Sequence, residues 1–424
     1  NLIGIQPLTE YPDIQGFLLN LFRKDTTSDS KWWLNFFMLF TENGLADAAT
    51  QRRKGGVKGI GEETNRFYNL LWIAREQLRK SGKVSPFRVF PKSSTPIYLM
   101  IPSSITKDFC DLDLKNVTLA NTNLFGADLS NSDLSGSDLM GVELTDSTLV
   151  NANLESVQLN RANLSGANLT NARLQNADLQ TSDFSNAKLN GADLVNASLI
   201  DVNWNGTLLI GANLSGCRFD EVEFCHTVFR HAKLKSAHLS RADLSYIDLS
   251  SADLHAADLR GANLSYADLS HADLSEALLD DAILDYADLR WANLNFAKLK
   301  NCSLHGAYLQ MAQLDHADLS MTDLSSADLS EASLYCTILT KADLSNSSFV
   351  GSALKRDNLC EAELLYTDFS SASIIKTRIT EFGLERAIYS ASDFTSWDII
   401  WVDIPLSQLS RHTDIFEALE DGYD

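Results

Sequence analysis

The most regular feature of this chain is a five-residue spacing of large apolar residues. From Phe109 to Ile404, every residue whose number ends in 4 or 9 is Leu, Phe, Ile, Trp or Tyr, which makes 60 consecutive positions without an insertion. Two residues earlier, from Val117 to Ser352, the chain carries Ala, Ser, Thr, Val or Cys, with Ile247 as the exception. The residue between them is most often Asp or Asn. A period of five fits neither the 3.6 of a helix nor the 2 of a strand.

A chain that turns a corner every five residues would place all of these residues inside. The large residue and the small residue would together fill a narrow tube. Asp and Asn suit the turns, because their short side chains can bond nearby backbone groups. The pattern therefore predicts a solenoid whose walls are made of five-residue segments.

The pattern weakens near both ends of the repeat. Other residues replace the small inward residue at Lys107, Leu112, Asp357, Phe382 and Trp397. A buried carboxylate is costly unless it is paired, so we expect Asp357 to lie in a locally distorted coil. The final coils, which contain Ile374, Ile379, Tyr389 and Ile399, are expected to be irregular.

The motif resembles that of the pentapeptide-repeat family, whose repeat is A-(D/N)-L-x-x, as in 252–254, 257–259 and 262–264. This resemblance implies a mainly β fold, a right-handed quadrilateral β-helix with four pentapeptides per coil over residues 106–404. The repeat would then form about 15 coils and a rod of roughly 70 Å, since strands lie about 4.8 Å apart. Residues 20 apart would stack directly on one another.

The segments on either side of the repeat lack this pattern. Residues 1–105 are predicted to form a mainly helical, basic N-terminal domain, with helices at 13–23, 30–40 and 62–80. Residues 405–424 are predicted to be a tail with a short helix at 410–419. Repeat arrays need covered ends, so a cap is the first interpretation of the tail. The family resemblance also implies a homodimer through this tail as an alternative.

Charge divides the chain into a basic and an acidic part. The formal net charge is −21, yet residues 1–105 have a balance of +5 and residues 106–404 have 20 basic and 42 acidic residues. This balance argues against direct nucleic-acid binding by the rod. The six dispersed cysteines favour a reducing, cytoplasmic compartment, and no apolar run is long enough for a transmembrane segment. Because the chain begins with Asn1, an organellar or processed form stays an alternative.

One candidate binding site repeats every 20 residues. Tyr-x-Asp occurs at Tyr246 and Asp248, at Tyr266 and Asp268, and at Tyr286 and Asp288. We predict a stripe of aromatic anchors in an acidic patch that also includes Asp243, Asp253, Asp258 and Asp273, suited to a protein partner with a basic, Arg/Lys-rich surface. The alternative is a recent duplication of one coil whose surface has no role.

A second candidate is a basic loop that contains Arg52, Arg53, Lys54 and Lys58 among four glycines. A phosphate-binding loop would need a G-x-x-x-x-G-K-[ST] spacing, which is absent. A solvated loop is therefore the preferred interpretation. A third interpretation is that this loop docks on an acidic surface.

The sequence indicates neither catalysis nor a cofactor or metal site. Its eight histidines lie apart, without a catalytic triad or an H-E-x-x-H motif. A smooth rod also lacks the concave pocket that most enzymes need. We therefore expect a non-enzymatic scaffold or adaptor. The resemblance implies an alternative function, a DNA mimic that binds a type II topoisomerase such as DNA gyrase.

Overall fold

In the computed structural model the chain divides into two compact units, residues 1–207 and 208–424. The structure describes residues 109–402, without the side chains of 381 and 382. The predicted N-terminal helices, the basic loop, Lys107 and the tail 405–424 lie outside the described residues. Their boundaries and roles therefore stay predictions, as does the expected covering of the two ends.

Both units are built from coils of 20 residues. In the first unit, parallel β-bridges join Asp113 to Asp133, Asp133 to Asn153 and Asn153 to Arg173. In the second unit they join Asp248 to Asp268 and Asp268 to Asp288. Each coil holds four bridge positions, five residues apart, and so contains four pentapeptides. The described fold is thus the expected mainly β solenoid; the total of 15 coils and the right-handed sense stay predictions.

Most corners of the described coils are turns closed by one backbone hydrogen bond. The N–H of Ala152 donates to the carbonyl of Leu149 at 3.0 Å. Asn151, the third residue of this turn, has φ of 56°, as a type II turn requires. Asn is well suited to this position because it tolerates the left-handed region better than most residues. The corners thus repeat at the residues whose numbers end in 1 or 6.

The Asp or Asn of the motif lies outside the turn, which corrects the sequence-based expectation. It occupies the bridge position, and its side chain reaches into the following corner. The Oδ1 atom of Asp248, for example, accepts from the N–H of Ser250 at 3.1 Å. The reason is geometric, because the corner's closing bond already joins the large residue to the small one, as in Leu249 and Ala252.

Both apolar rows of the motif fill the interior. Ala262 and Leu264 are fully buried, as are almost all their counterparts. Burying one leucine stabilises the fold by about 2 kcal/mol, so a long row of them dominates the energetics. Larger rings fill local gaps. Phe184 stacks on Trp204 in the first unit, with ring centroids 5.5 Å apart.

The coil is distorted around Asp357, as expected. The carboxyl group is fully buried, and its Oδ1 atom accepts from the N–H of Thr337 at 2.7 Å. In a regular corner the carbonyl of Leu334 would accept this hydrogen bond from the N–H of Thr337, and here the Asp357 carboxyl group accepts it instead. The corners at this position open into β1 (Ser333–Tyr335), β2 (Ala353–Lys355) and β3 (Ser373–Ile379).

The repeat ends in an irregular segment. It contains α1 (Glu381–Leu384), α2 (Ala391–Ser396) and β4 (Asp398–Trp401), and the parallel sheet has the order β1-β2-β3-β4. Ser390 caps α2 because its side chain accepts from the N–H of Asp393, whose carboxylate accepts from the N–H of Ser390. After Leu384, which is still buried, the five-residue spacing no longer places residues fully inside.

The large residues of the final coils therefore differ in burial. Ile374 and Ile379 are fully buried, whereas Tyr389 and Ile399 are only half-buried. Phe394 continues the apolar spacing but is 41% exposed. The half-buried Trp397 donates its Nε1–H to the carbonyl of Ala372 at 2.8 Å. The expected irregularity thus begins after β3.

Candidate binding site

Three tyrosines form a stack on one corner of the second unit. The ring centroids of Tyr246 and Tyr266 lie 4.9 Å apart, and those of Tyr266 and Tyr286 lie 5.1 Å apart. The planes differ by only 4° and 12°. All three residues have φ between 57° and 60°, which directs their side chains outward from the corner. The stacking expected from the 20-residue spacing is therefore present.

The stack is accessible to solvent. Tyr246 is 74% exposed, and Tyr266 and Tyr286 are 49% and 39% exposed. Desolvation, followed by Coulombic interaction with Tyr246 and Tyr286, raises the pKa of Tyr266. The stack ends at Gly306, where an added Cβ would lie 2.6 Å from the Tyr286 ring. A glycine is therefore needed there to leave room for that ring.

Asp248, Asp268 and Asp288 lie beside the stack and are joined by consecutive β-bridges, and we call these three residues the aspartate ladder. Arginine side chains neutralise part of its negative charge. The Nη2 atom of Arg230 lies 2.6 Å from Oδ2 of Asp248, and Arg290 pairs with Asp288. Partial burial opposes the ionisation of Asp248, yet hydrogen bonds from Ser250 and Arg230 outweigh it and lower its pKa. The pKa of Asp288 is lowered in the same way. Two of the three carboxylates are therefore neutralised by the chain's own arginines.

An open groove of about 420 Å³ lies over this ladder. It is lined by Tyr266, Ala267, Asp268, Tyr286, Asp288, Arg290, Tyr308 and Gln310. Aromatic rings and carboxylates together suit a cationic side chain, because the ring faces and the carboxylate both attract positive charge. We call the three tyrosines, the three ladder aspartates and this groove the tyrosine–aspartate face.

The structure does not bring the other predicted acidic residues into this face. Asp243 belongs to a second ladder, Asp253 and Asp273 to a third, and Asp258 to a fourth. Asp258 is also paired with Arg260, whose Nη2 atom lies 2.6 Å away. Residues five apart are close in sequence, but successive pentapeptides form different sides of the coil, so their aspartates face in different directions. The acidic part of the site is thus narrower than the sequence suggested.

Two further aromatic stacks were not predicted from the sequence, one on the corner next to the tyrosines and one on the opposite corner of the coil. His271 stacks on Trp291 with centroids 4.9 Å apart, and Phe296 stacks on His316 at 4.7 Å. The guanidinium of Arg290 lies 5.9 Å from the centre of the Trp291 ring. The aspartate ladder therefore runs between a tyrosine corner and a histidine–tryptophan corner. The same spacing of 20 would have revealed both stacks.

Other chemistry is sparse in the part of the chain that the structure describes. Within residues 109–402 none of the six cysteines forms a disulfide bond, and burial raises the pKa of Cys302 to about 12. Within residues 109–402, no group of three or more His, Cys, Asp or Glu side chains is arranged to hold a metal ion. None of the described helices has the length and apolar character needed to cross a bilayer.

The repeat sequence matches models of a known family over most of the coils. Residues 107–184 match a pentapeptide repeat region, and overlapping matches to pentapeptide repeats cover residues 177–374. The chain belongs to the pentapeptide-repeat family. The recognition made from the A-(D/N)-L-x-x motif is thereby confirmed. No curated protein matches this chain.

Several solved structures of pentapeptide-repeat proteins are similar to this chain. HetL from the cyanobacterium Nostoc, involved in heterocyst differentiation regulation, is 30% identical over 60% of this chain and 88% of its own, with a TM-score of 0.17. Rfr23 from the cyanobacterium Cyanothece is 27% identical over 28% and 85%, with a TM-score of 0.15. QnrB1, a plasmid-mediated fluoroquinolone resistance protein, is 18% identical over 43% and 91%, with a TM-score of 0.22.

Proposed function

We propose that this protein is a non-enzymatic interaction protein, a scaffold or adaptor that binds a protein partner through the tyrosine–aspartate face. The observation that carries the proposal is the exposed stack of Tyr246, Tyr266 and Tyr286 beside a groove with carboxylates in its floor. Tyrosine is enriched among the residues that dominate binding energy. Rings already held in a stack lose little conformational freedom on binding, which favours affinity.

The remaining parts of the chain have supporting roles in this proposal. The basic residues 1–105 position the partner or the whole assembly, and the tail 405–424 caps the coil or joins two copies. A reducing, cytoplasmic compartment is part of this proposal, supported by six dispersed cysteines that form no disulfide bond within residues 109–402. The acidic excess between 106 and 404 makes a basic surface on the partner the natural complement.

The test is affinity capture from cells of the source organism, with the full-length chain and two single variants. Tyr266→Ala removes the middle ring of the stack, whereas Tyr366→Ala is a matched control. Tyr366 lies at the equivalent corner position five coils after Tyr266 and is 59% exposed. We expect Tyr266→Ala to lose the partner and Tyr366→Ala to keep it, with unchanged circular dichroism for both. Equal capture by all three proteins would reject this face as the binding site.

The second candidate function is DNA mimicry towards a type II topoisomerase, which the excess of 42 acidic over 20 basic residues between 106 and 404 favours. A mimic would act through charge on several ladders rather than through one aromatic stack. The test is inhibition of gyrase supercoiling by the full chain. Inhibition that competes with duplex DNA and is unaffected by Tyr266→Ala would favour this candidate over the first.

A further inference from the structure

Asp268 differs from the two aspartates on either side of it. Asp248 receives an arginine from 18 residues earlier, Arg230, and Asp288 receives one from two residues later, Arg290. Around Asp268 both of these positions hold serine, Ser250 and Ser270. Asp268 consequently has no ion pair among residues 109–402. Within residues 109–402 this middle carboxylate pairs directly with no arginine or lysine, although Arg290, which lines the same groove, attracts it at longer range.

The hydrogen bonds of Asp268 leave one oxygen for a ligand. Its Oδ1 atom accepts from the N–H of Ser270 at 3.0 Å and from the Ser270 hydroxyl at 2.6 Å. Within the described residues, Oδ2 has no hydrogen-bond partner. Asp268 lines the groove together with Tyr266 and Tyr286, so a cation that reaches Oδ2 also meets aromatic rings.

The flanking ion pairs limit how many cations the face accepts. On either side of Asp268, Arg230 pairs with Asp248 and Arg290 pairs with Asp288. A second incoming cation would therefore approach an arginine whose carboxylate is already paired. The first cation and the nearby guanidinium would both repel a second cation, and no unpaired carboxylate would offset that repulsion. A polybasic segment therefore gains little beyond its first cation here. This modifies the sequence-based expectation of an Arg/Lys-rich partner.

We propose that Asp268 is the acceptor for one arginine side chain of a protein partner, in a segment whose adjacent residues are uncharged. This inference rests on the proposed function of the tyrosine–aspartate face. The guanidinium donates to Oδ2 of Asp268, and its planar face lies against the rings of Tyr266 or Tyr286. Arginine suits this site better than lysine because it is planar, stacks on aromatic rings and is less strongly hydrated.

The experiment measures peptide binding to the full-length protein by saturation-transfer NMR at physiological salt. The probe is the capped heptapeptide Gly-Ser-Gly-Arg-Gly-Ser-Gly, compared with versions that carry lysine or uncharged citrulline in place of the arginine. We expect the arginine peptide to bind more tightly than the lysine peptide, and no binding of the citrulline peptide. The Asp268→Asn variant should weaken the arginine peptide about tenfold, which corresponds to about 1.4 kcal/mol.

The matched control is Asp253→Asn. Asp253 occupies a bridge position on another ladder, accepts from the N–H of His255 and is half-buried like Asp268. This variant should bind the arginine peptide as the wild type does. Asparagine occurs naturally at bridge positions such as Asn263 and Asn293, so both variants should fold.

A third variant tests the limit of one arginine. In Arg290→Gln the carboxylate of Asp288 becomes vacant, and glutamine is tolerated at the equivalent position of the next coil, Gln310. A heptapeptide with two arginines should bind the wild type less than about twofold more tightly than the one-arginine peptide. It should gain about tenfold in Arg290→Gln, the value of one added ion pair.

Three results would overturn the inference. They are equal weakening by Asp268→Asn and Asp253→Asn, tight binding of the two-arginine peptide to the wild type, and no Asp268-dependent binding at millimolar peptide. The capture assay separates this failure from failure of the proposed function. Loss of the partner in Tyr266→Ala but not in Asp268→Asn would mean that the face binds a protein by other contacts.

Discussion

The buried carboxyl group of Asp357 should make the C-terminal coils less stable as the pH rises. Burial raises its pKa to about 7 from the ordinary 3.8 of an aspartate. Hydrogen bonds from Thr337 and from the Lys355 backbone oppose this rise, and Asp315 adds a repulsive charge. Among residues 109–402 its Oδ2 atom has no hydrogen-bond partner. The protonated form is therefore the one that the folded coil accepts.

The direction of the pH effect on stability follows from the pKa values of Asp357 in the folded and unfolded chain. Below pH 3.8 the carboxyl group is neutral in both states and costs nothing. Between 3.8 and about 7 the unfolded chain loses the proton while the folded coil keeps it, so stability falls as the pH rises. A difference of about 3 pKa units corresponds to a loss of at most about 4 kcal/mol, which is complete above the folded pKa.

The variant that isolates this effect is Asp357→Asn, which keeps the shape and the acceptor for the Thr337 N–H but does not titrate. Asp357→Thr is a second variant, because threonine is a regular inward residue at Thr337 and Thr377. Other carboxylates, such as Asp248 and Asp288, have lowered pKa values and change stability in the opposite direction. The informative quantity is therefore the difference between wild type and variant.

The assay is hydrogen exchange by mass spectrometry on peptides from residues 330–380, corrected for the intrinsic effect of pH on exchange. We expect the wild type to lose up to about 4 kcal/mol of local opening free energy relative to Asp357→Asn between pH 4 and 8. Peptides from 150–190 should show no difference. A wild-type-minus-variant difference that is the same at pH 4 and pH 8 would refute the reasoning.

Three further predictions concern the core, the surface stack and the corners. Leu264→Asp should unfold several coils at a cost of about 4 kcal/mol or more, because Leu264 is fully buried. The control Leu264→Met should cost less than about 1.5 kcal/mol. Unchanged thermal melting of Leu264→Asp would contradict the inward assignment of Leu264. Tyr266→Ala should lower stability by only about 1 kcal/mol in urea unfolding, since the stack is exposed; a loss like that of Leu264→Asp would make the stack structural. Thr181→Gly should raise stability by about 1 kcal/mol, because Thr181 has φ of 57° and glycine adopts positive φ without the steric cost that threonine has. Thr170→Gly is the control that should lower stability. A lower melting temperature for Thr181→Gly would contradict the prediction.

The sequence predicted the repeat well because its geometry is local and strictly periodic. Each pentapeptide needs a large residue such as Leu264, a small one such as Ala262, and a corner between them. The period of five determines which residues point inward, and the multiple of 20 predicts the stack of Tyr246, Tyr266 and Tyr286. These rules involve residues that are adjacent in the chain or one coil apart.

Other properties depend on which residues meet across coils. The sequence placed Asp243, Asp253 and Asp258 in one acidic patch, but the structure assigns them to three separate ladders. It flagged Asp357 as out of place, yet only the structure shows its carboxyl group accepting the backbone N–H of Thr337. It also gave no sign that α2 would direct Phe394 outward, because a capped helix replaces the five-residue period there.

The sequence by itself thus determined the periodic core, because inward or outward direction depends on position within each pentapeptide. The tertiary structure decided the charge of the surface. Arginine reaches aspartate from 18 residues earlier at Asp248 and from two residues later at Asp288, so the choice depends on side-chain contacts between stacked coils. Within residues 109–402 those contacts leave Asp268 without an ion pair of its own, a difference that the three identical Tyr-x-Asp motifs do not reveal.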